Sequence, residues 1–415
     1  MIVVSAEMIR ACHGATQVEF MVRESEDIYN AICSPENRHT VTGSICHVAH
    51  LHDLNPAAIG KPEDRVRIAY RRTPDGVEVR GYVFRDGRWG DREVQLIPLK
   101  EDLFSRTSGL LETDVISDRR VFIAGLGSGG APIALELVKS GVMNIDLMDD
   151  DRLEVGNVLR HQAGLSDAGR YKTHYTRDAI IDKNPYVTVR SWEQRMTWDS
   201  IDLVRDVVRA SDLVICAIDE RVGRQVLNRV CVEEGKPCVF AAAFRRAYGG
   251  QVLVLEPGKT PCYECFLERL PDSARDQEIS NARSASRIAY SDRPVAIEPG
   301  LSTDIAPISH MATKIALQIL LRDRPSALRS LDDDLTASWY LWLNRREPGT
   351  DYEKFEPLGC SIGGLHILRW YGIEFDRNPS CPVCGDFTGH LAAEAGVGLF
   401  DDDIQRFALK VGTTG

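Results

Sequence analysis

An α/β fold, with a Rossmann-like, mostly parallel sheet and helices on both faces, is predicted for this 415-residue chain by three observations. Short unbroken apolar runs alternate with helical stretches from residue 120 to about 345. A strand buried on both faces loses the polar–apolar alternation of a half-exposed one, so such runs indicate a parallel sheet. A glycine-rich turn, Gly125-Leu-Gly127-Ser-Gly129-Gly130, separates the first run from the helix after it. Hydrophobic residues make up 43% of the chain, enough for a substantial core.

Residues 1–103 read as a separate α+β unit. Arg65-Val-Arg-Ile-Ala-Tyr-Arg71 alternates, Pro74-Asp-Gly76 turns the chain, Val77 to Val83 alternates again, and Asp86-Gly87 makes a further turn. This is the pattern of a hairpin or meander. The cluster His47, His50, His52 and Asp53 matches no complete ligand motif and reads as polar surface. In residues 104–350, Val121-Phe-Ile-Ala124 is a buried strand, 131–141 a helix ending at a glycine, and Asn144-Ile-Asp-Leu-Met148 the next strand. Residues 167–184 read as helix, Asp212-Leu-Val-Ile-Cys-Ala217 and Val252-Leu-Val-Leu255 as strands, and 305–321 as helix. A third segment, 351–415, carries Cys381-Pro-Val-Cys384-Gly385, a knuckle-like turn.

The formal charge of −11 argues against a nonspecific nucleic-acid binder, which needs a basic surface. No apolar run of about 18 residues offers a membrane span. The N-terminal sequence MIVVSAEMIRACHG lacks the basic and apolar regions of a signal peptide, so a cytoplasmic protein is expected. Eleven cysteines, an odd number, then read as reduced thiols plus one metal site.

The glycine turn matches G-x-G-x-x-G at Gly125, Gly127 and Gly130. The first glycine permits the tight turn, the second lets phosphate or ribose approach the backbone, and the third allows helix to pack on strand. The helix N-terminus supplies free N–H groups, and Asp149 ends the second strand where a ribose hydroxyl binds. By itself this motif fits an NAD or FAD enzyme, an ATP enzyme or a structural turn. The residues beyond Asp149 narrow the choice. Asp149-Asp150-Asp151-Arg152-Leu153-Glu154 leads to Asn157-Val-Leu-Arg160-His161, and Lys172 comes twelve residues after Arg160. A dinucleotide has no use for an arginine and a lysine converging on its phosphates, whereas a triphosphate is held by such charge-assisted bonds.

From Val121 to about Leu270 the chain resembles the ThiF- and MoeB-like sulfur-carrier activators and the ubiquitin-type E1 enzymes. The resemblance rests on Gly125 to Gly130, Asp149, Asn157-Val-Leu-Arg160, Lys172, Asn184-Pro185 and Leu213-Val-Ile-Cys-Ala-Ile-Asp219, in order and at spacing. It implies that Asp149 binds ribose, that Asn157, Arg160 and Lys172 hold the phosphates of ATP beside Asp151, and that Asp219 holds Mg²⁺. It implies adenylation of the C-terminal glycine carboxylate of a ubiquitin-like or sulfur-carrier protein, and a homodimer in which Arg106 reaches the partner protomer's phosphates. Two departures stand out: Glu220 where the family often has asparagine, and His161 where sulfur-carrier activators have glutamine.

Cys262-Tyr-Glu-Cys265 and Cys381-Pro-Val-Cys384 can each place two thiolates on one tetrahedral Zn²⁺, here stapling the tail to the segment after the sheet. A redox pair is the rival reading. The resemblance suggests a thioester cysteine. The segment 275–304 contains none, and Cys360, flanked by glycines, is the candidate nucleophile against a packed-cysteine alternative. Three functions compete: activation of a carrier for conjugation, with an E2-like enzyme as further partner; a NAD- or FAD-dependent oxidoreductase; and a non-catalytic E1-like scaffold. Retention of Arg160, Lys172 and Asp219 disfavours the scaffold. The extra N-terminal unit favours conjugation over thiamine or molybdopterin biosynthesis.

Overall fold

The computed structural model describes residues 1–23, 26–32, 40–107, 109–111, 114–271, 299–322, 324–328, 330–359 and 363–385. Two compact units result. The first comprises Met1–Asp114 with Lys139–Gly141 and Asp178–Val187; the second comprises Val115–Val138, Val142–Arg177 and the described residues from Thr188 onward.

In the first unit, eight strands form one mixed sheet: β1 (Ile2–Ser5), β2 (Ala15–Arg23), β3 (Ile28–Asn30), β4 (Thr40–His47), β5 (Val66–Thr73), β6 (Gly76–Arg85), β7 (Arg88–Arg92) and β8 (Val94–Ile97). Their order is β7-β6-β5-β4-β2-β3-β1-β8, and two short helices, α1 (Ala6–Ala11) and α2 (Leu99–Phe104), complete it. The alternating runs form the expected meander, with β5, β6 and β7 successively antiparallel. Asp86 and Gly87 both adopt positive φ, as a two-residue hairpin turn requires. Ile2, Val4, Phe20, Ile45 and Ile68 are wholly buried beneath the sheet.

The second unit holds the other eight-stranded sheet: β9 (Arg120–Ala124), β10 (Asn144–Met148), β11 (Thr188–Trp192), β12 (Leu213–Cys216), β13 (Cys238–Ala243), β14 (Gly249–Leu255), β15 (Trp339–Leu343) and β16 (Trp370–Ile373). The order is β11-β10-β9-β12-β13-β14-β15-β16. The first five strands are mutually parallel and the last three pair antiparallel. Val121, Phe122, Ile123 and Ala124 are completely buried, as are all four residues of β12, which accounts for their unbroken apolar sequences. The helices between and after these strands are α3 (Gly130–Lys139), α4 (Lys172–Lys183), α5 (Ile201–Arg209), α6 (Arg221–Glu233), α7 (Tyr263–Arg269) and α8 (Ser302–Leu321); they belong to the second unit except for Lys139 and the part of α4 from Asp178 onward, which belong to the first. In α5, Val204, Val207 and Val208 are buried at helical spacing while Asp202 and Arg209 stay outside.

Helix α4 begins at Lys172, five residues later than the run from 167 suggests. A single 3₁₀ turn, Leu165–Asp167, comes first. Gly169 then adopts φ +89°, and Arg152 bridges to Tyr171, so the chain is not helical until Lys172. Strands β10, β9 and β12 run level, with Ala124 in register with both Met148 and Cys216. Chain order reverses between β9 and β12, and the crevice beyond the carboxyl ends of strands at such a point is where open α/β sheets bind ligands.

Candidate functional site

The glycine loop leaves β9 at this crevice. Gly125 adopts φ +87°, and a Cβ on it would lie 2.6 Å from the Ala217 carbonyl oxygen. A Cβ on Gly130 would lie 1.8 Å from the Gly125 oxygen, whereas one on Gly127 would meet nothing within 4 Å. The outer glycines are therefore required by the protein itself, and the middle one faces open space in which a ligand can approach. The Ser309 hydroxyl of α8 donates to the Gly129 carbonyl at 3.0 Å and ties the loop from behind.

Asp149 leaves β10 at the same level. Its Oδ2 accepts the Leu126 N–H at 2.6 Å and its Oδ1 the Asp151 N–H at 2.8 Å, so one carboxylate ties the glycine loop to the acidic segment. Lys172, the first residue of α4, places Nζ 2.8 Å from Asp151 and 3.9 Å from Asp149. Burial pushes the Asp149 carboxyl above its usual range, partly offset by Lys172 and the Leu126 N–H. Burial alone would lower the Lys172 pKa, but Asp149, Asp151 and Asp219 outweigh it and hold the ammonium charged. Asp149, Asp150 and Asp151 can bring carboxylate oxygens within 4.8 Å of one another, a group able to hold a cation.

The segment after the acids folds as a 3₁₀ turn, Val155–Asn157. Asn157 accepts the Arg160 and His161 N–H groups on its carbonyl and the Arg160 guanidinium on its side chain at 3.4 Å. Both residues of the Asn-x-x-Arg pattern thus belong to one turn. His161, buried behind it, bonds through Nε2 to the Leu126 carbonyl at 2.9 Å and through Nδ1 to the Ala163 N–H at 3.1 Å. Burial holds its pKa below the ordinary 6.5, so the ring is neutral at pH 7.

Asp219 projects just past β12, exposed to solvent. Two arginines that sequence reasoning missed brace its neighbours. Arg195 donates two hydrogen bonds to the Glu220 carboxylate, at 2.5 and 3.3 Å. Arg224, nearly fully buried in α6, donates Nε to the Ile218 carbonyl at 2.7 Å. Glu220, the departure from the asparagine pattern, therefore serves as the anchor for Arg195. Neither brace had a local sequence signal, because Arg195 lies 25 residues from its partner and Arg224 looks like an ordinary helix-surface cation.

The four cysteines of the two Cys-x-x-Cys pairs converge. Cys262 lies 3.9 Å from Cys265 and 3.6 Å from Cys381, and Cys265 lies 3.4 Å from Cys384, sulfur to sulfur. A tetrahedral site with zinc–sulfur bonds of about 2.3 Å has sulfur–sulfur edges of about 3.8 Å, and with all four sulfurs within 4.8 Å of one another the set is compatible with one Zn²⁺. The Cys262 side chain, more than the opposing effect of burial, holds the Cys265 thiol below its ordinary range.

Arg106 is exposed in the turn after α2, in the N-terminal unit. Cys360 and most of 275–304 lie outside the described residues. Cys216, Cys231 and Cys238 are wholly buried. A cleft of about 660 Å³ lined by Glu256, Gln318, Arg322, Arg324 and Asp332 shares no residue with the constellation above. Its arginines are already paired, Arg322 with Glu256 at 2.6 Å and Arg324 with Asp118 at 2.8 Å.

Fold and constellation together define a Rossmann-like domain with a glycine loop, an acidic strand end and a buried lysine at its switch point. The pattern of the ThiF family matches residues 100–357, and the chain belongs to that family. It is 32% identical over 170 residues to the sulfur carrier protein ThiS adenylyltransferase of Escherichia coli K12, covering 40% of this chain and 64% of that protein. It is 34% identical over 154 residues to the SAMP-activating enzyme E1 of Haloferax volcanii (37% and 55% covered). It is 28% identical over 174 residues to ubiquitin-like modifier-activating enzyme 5 of Caenorhabditis elegans (40% and 42% covered). The chain thus spans less than two thirds of the length of these relatives. A crystal structure of E. coli MccB with ATP aligns over 66% of this chain and 69% of that one, at 17% identity and a TM-score of 0.47. Among the described residues no helix is long and apolar enough to cross a membrane.

Proposed function

We propose that this protein uses ATP and Mg²⁺ to adenylate the C-terminal glycine carboxylate of a ubiquitin-like or sulfur-carrier protein. The observation that carries the reading is the ammonium of Lys172, kept charged among Asp149, Asp151 and Asp219 beside an open glycine loop. Three relatives whose names describe adenylation or activation of small carrier or modifier proteins support it.

In this reading the carboxylate oxygen attacks the α-phosphorus of ATP, the acyl-adenylate forms, and pyrophosphate departs with the electrons of the broken bond. The attacking carboxylate is already ionised at pH 7, so no general base is required. Attacker and substrate are both anionic, so the work is charge neutralisation and positioning. Asp149 binds ribose, Gly127 lets the phosphates approach, and Asn157, Arg160 and Lys172 hold them. Asp219, with Asp151 near Lys172, would hold Mg²⁺, which neutralises phosphate charge when bound. Cys262, Cys265, Cys381 and Cys384 would hold a structural Zn²⁺, since four thiolates leave no open position. The additional N-terminal unit supports protein conjugation over cofactor biosynthesis, with an E2-like enzyme as a downstream partner.

Incubation with ATP, Mg²⁺ and a small carrier protein ending in glycine is expected to give ATP–pyrophosphate exchange that is absent without carrier. Exchange with no carrier dependence, or none with any carrier of the cognate system, would count against the reading.

The same proposal includes a two-fold homodimer in which Arg106 reaches the partner protomer's phosphates. Closed two-fold dimers are the commonest assembly. Mixing Arg106→Ala with Asp219→Ala protein is then expected to restore part of the exchange through hybrid dimers. No restoration between subunits shown to exchange would remove Arg106 from the site.

A further inference from the structure

The adenylation reading assigns no task to the buried imidazole of His161, yet this residue's contacts reach the glycine loop, the Asn157 turn and α4. Its Nδ1 accepts the Ala163 N–H, so its hydrogen resides on Nε2 and is donated to the Leu126 carbonyl. Its ring packs edge-on against Tyr175 of α4, three residues beyond Lys172, with centroids 5.5 Å apart. Its own N–H is held by Asn157 at 2.8 Å.

Leu126 stands between two glycines, whose backbone freedom would let its peptide planes turn. Both of its polar backbone groups are instead fixed by buried side chains, the N–H by Asp149 and the carbonyl by His161. The peptide unit joining Leu126 to Gly127 is planar and trans, so its carbonyl and its N–H point in opposite directions. Holding the Leu126 carbonyl toward His161 therefore aims the Gly127 N–H away from it. No acceptor among the described residues takes that N–H, and the space beyond Gly127 is open.

We infer that His161 is a positioning residue: it locks the glycine loop to the Arg160 turn and the Lys172 helix so that the Gly127 N–H is presented to the nucleotide's phosphates. The inference rests on the adenylation reading and adds to it how the loop is set. A glutamine can meet both demands, since its amide carries a donor and an acceptor on one group. The position thus needs a neutral donor–acceptor rather than a titrating base.

The test compares His161→Gln and His161→Phe in the full-length protein. Phenylalanine keeps the ring on Tyr175 but loses both hydrogen bonds. Titration with ATP and Mg²⁺, steady-state exchange, and hydrogen–deuterium exchange of the peptide 124–131 are measured alongside the thermal midpoint. His161→Phe is expected to raise the ATP Kd and KM about tenfold, the scale of one buried hydrogen bond lost. The carrier KM should stay unchanged and the 124–131 amides should exchange faster. His161→Gln should keep the wild-type ATP KM and exchange pattern. A His161→Phe protein that binds ATP like the wild type overturns the inference, as does a folded His161→Gln protein as impaired as His161→Phe. Wild-type protein that binds no ATP would overturn the adenylation reading itself, an outcome visible before any variant is made.

Discussion

Asp219→Ala is expected to abolish ATP–pyrophosphate exchange, and Lys172→Ala to lower it roughly 10²–10³-fold, the scale of one preorganised charge-stabilising donor removed. The two losses differ in kind. Asp219 is exposed, and its neighbours are braced, Glu220 by Arg195 and Ile218 by Arg224. On the adenylation reading its removal deletes a proposed Mg²⁺ ligand, and it leaves the braces intact, so the fold should be preserved. Lys172 is mostly buried and is the counter-charge of Asp149 and Asp151. Its removal leaves Asp149 with its two backbone N–H donors, which keeps that carboxyl satisfied but raises further a pKa that burial has already raised. Lys172→Ala should therefore weaken nucleotide binding most at low pH, where Asp149 takes up a proton and no longer accepts both the loop amide and a ribose hydroxyl. Exchange rates across pH, with unfolding midpoints measured in parallel, check both statements. Full exchange activity in the Asp219 variant would remove that residue from metal binding.

What was legible in the sequence is what local chemistry enforces. Gly125 and Gly130 could be read because a Cβ at either would strike backbone, so the spacing of the motif is a steric record of the turn. The unbroken apolar strands were legible because β9 and β12 are buried on both faces. The cysteine pairs were legible because two-residue spacing alone places two sulfurs on one metal. Less visible was whatever depends on distant partners. The helical pattern that begins at 167 runs ahead of the true start of α4, because Gly169 and the Arg152–Tyr171 bridge hold the chain out of helix until Lys172. Arg195 and Arg224 carried no sign that they brace the residues beside Asp219. His161 stands out in the sequence only as a departure from Arg-Gln, because the Leu126 carbonyl it faces lies 35 residues away. In the N-terminal unit the meander was evident from alternation, but the parallel pairing of β1 with β8, 92 residues apart in register, has no local signature.

Cys381→Ser is expected to lower both the zinc content and the thermal midpoint, and to make the protein insensitive to chelator. Cys381 sits completely buried in the tail beyond β16, and its sulfur faces Cys262 at the start of α7. These two residues are 119 positions apart in sequence, so a metal between them closes a long loop of the chain. Backbone N–H groups are arranged around the cluster as thiolates require: Asn378 donates toward the Cys265 sulfur at 3.4 Å and Val383 toward Cys381 at 3.5 Å. Without a cation the set cannot all ionise, since burial pushes the Cys381 thiol up and four thiolates within 4.8 Å of one another would repel. A bound Zn²⁺ removes that conflict, and its binding free energy then counts toward folding. The tail keeps a second anchor, because Phe375 packs on Phe266 and Trp339 at centroid distances of 6.4 and 6.5 Å. Loss of the metal should therefore loosen the tail and α7 without unfolding the sheet, leaving one cooperative transition at a lower temperature. Chelator should lower the wild-type midpoint toward that of Cys381→Ser and leave the variant unmoved, because both remove the same cross-link. Wild-type protein purified without chelator and found to contain no zinc would overturn the assignment. So would a chelator effect of equal size in the wild type and in Cys381→Ser.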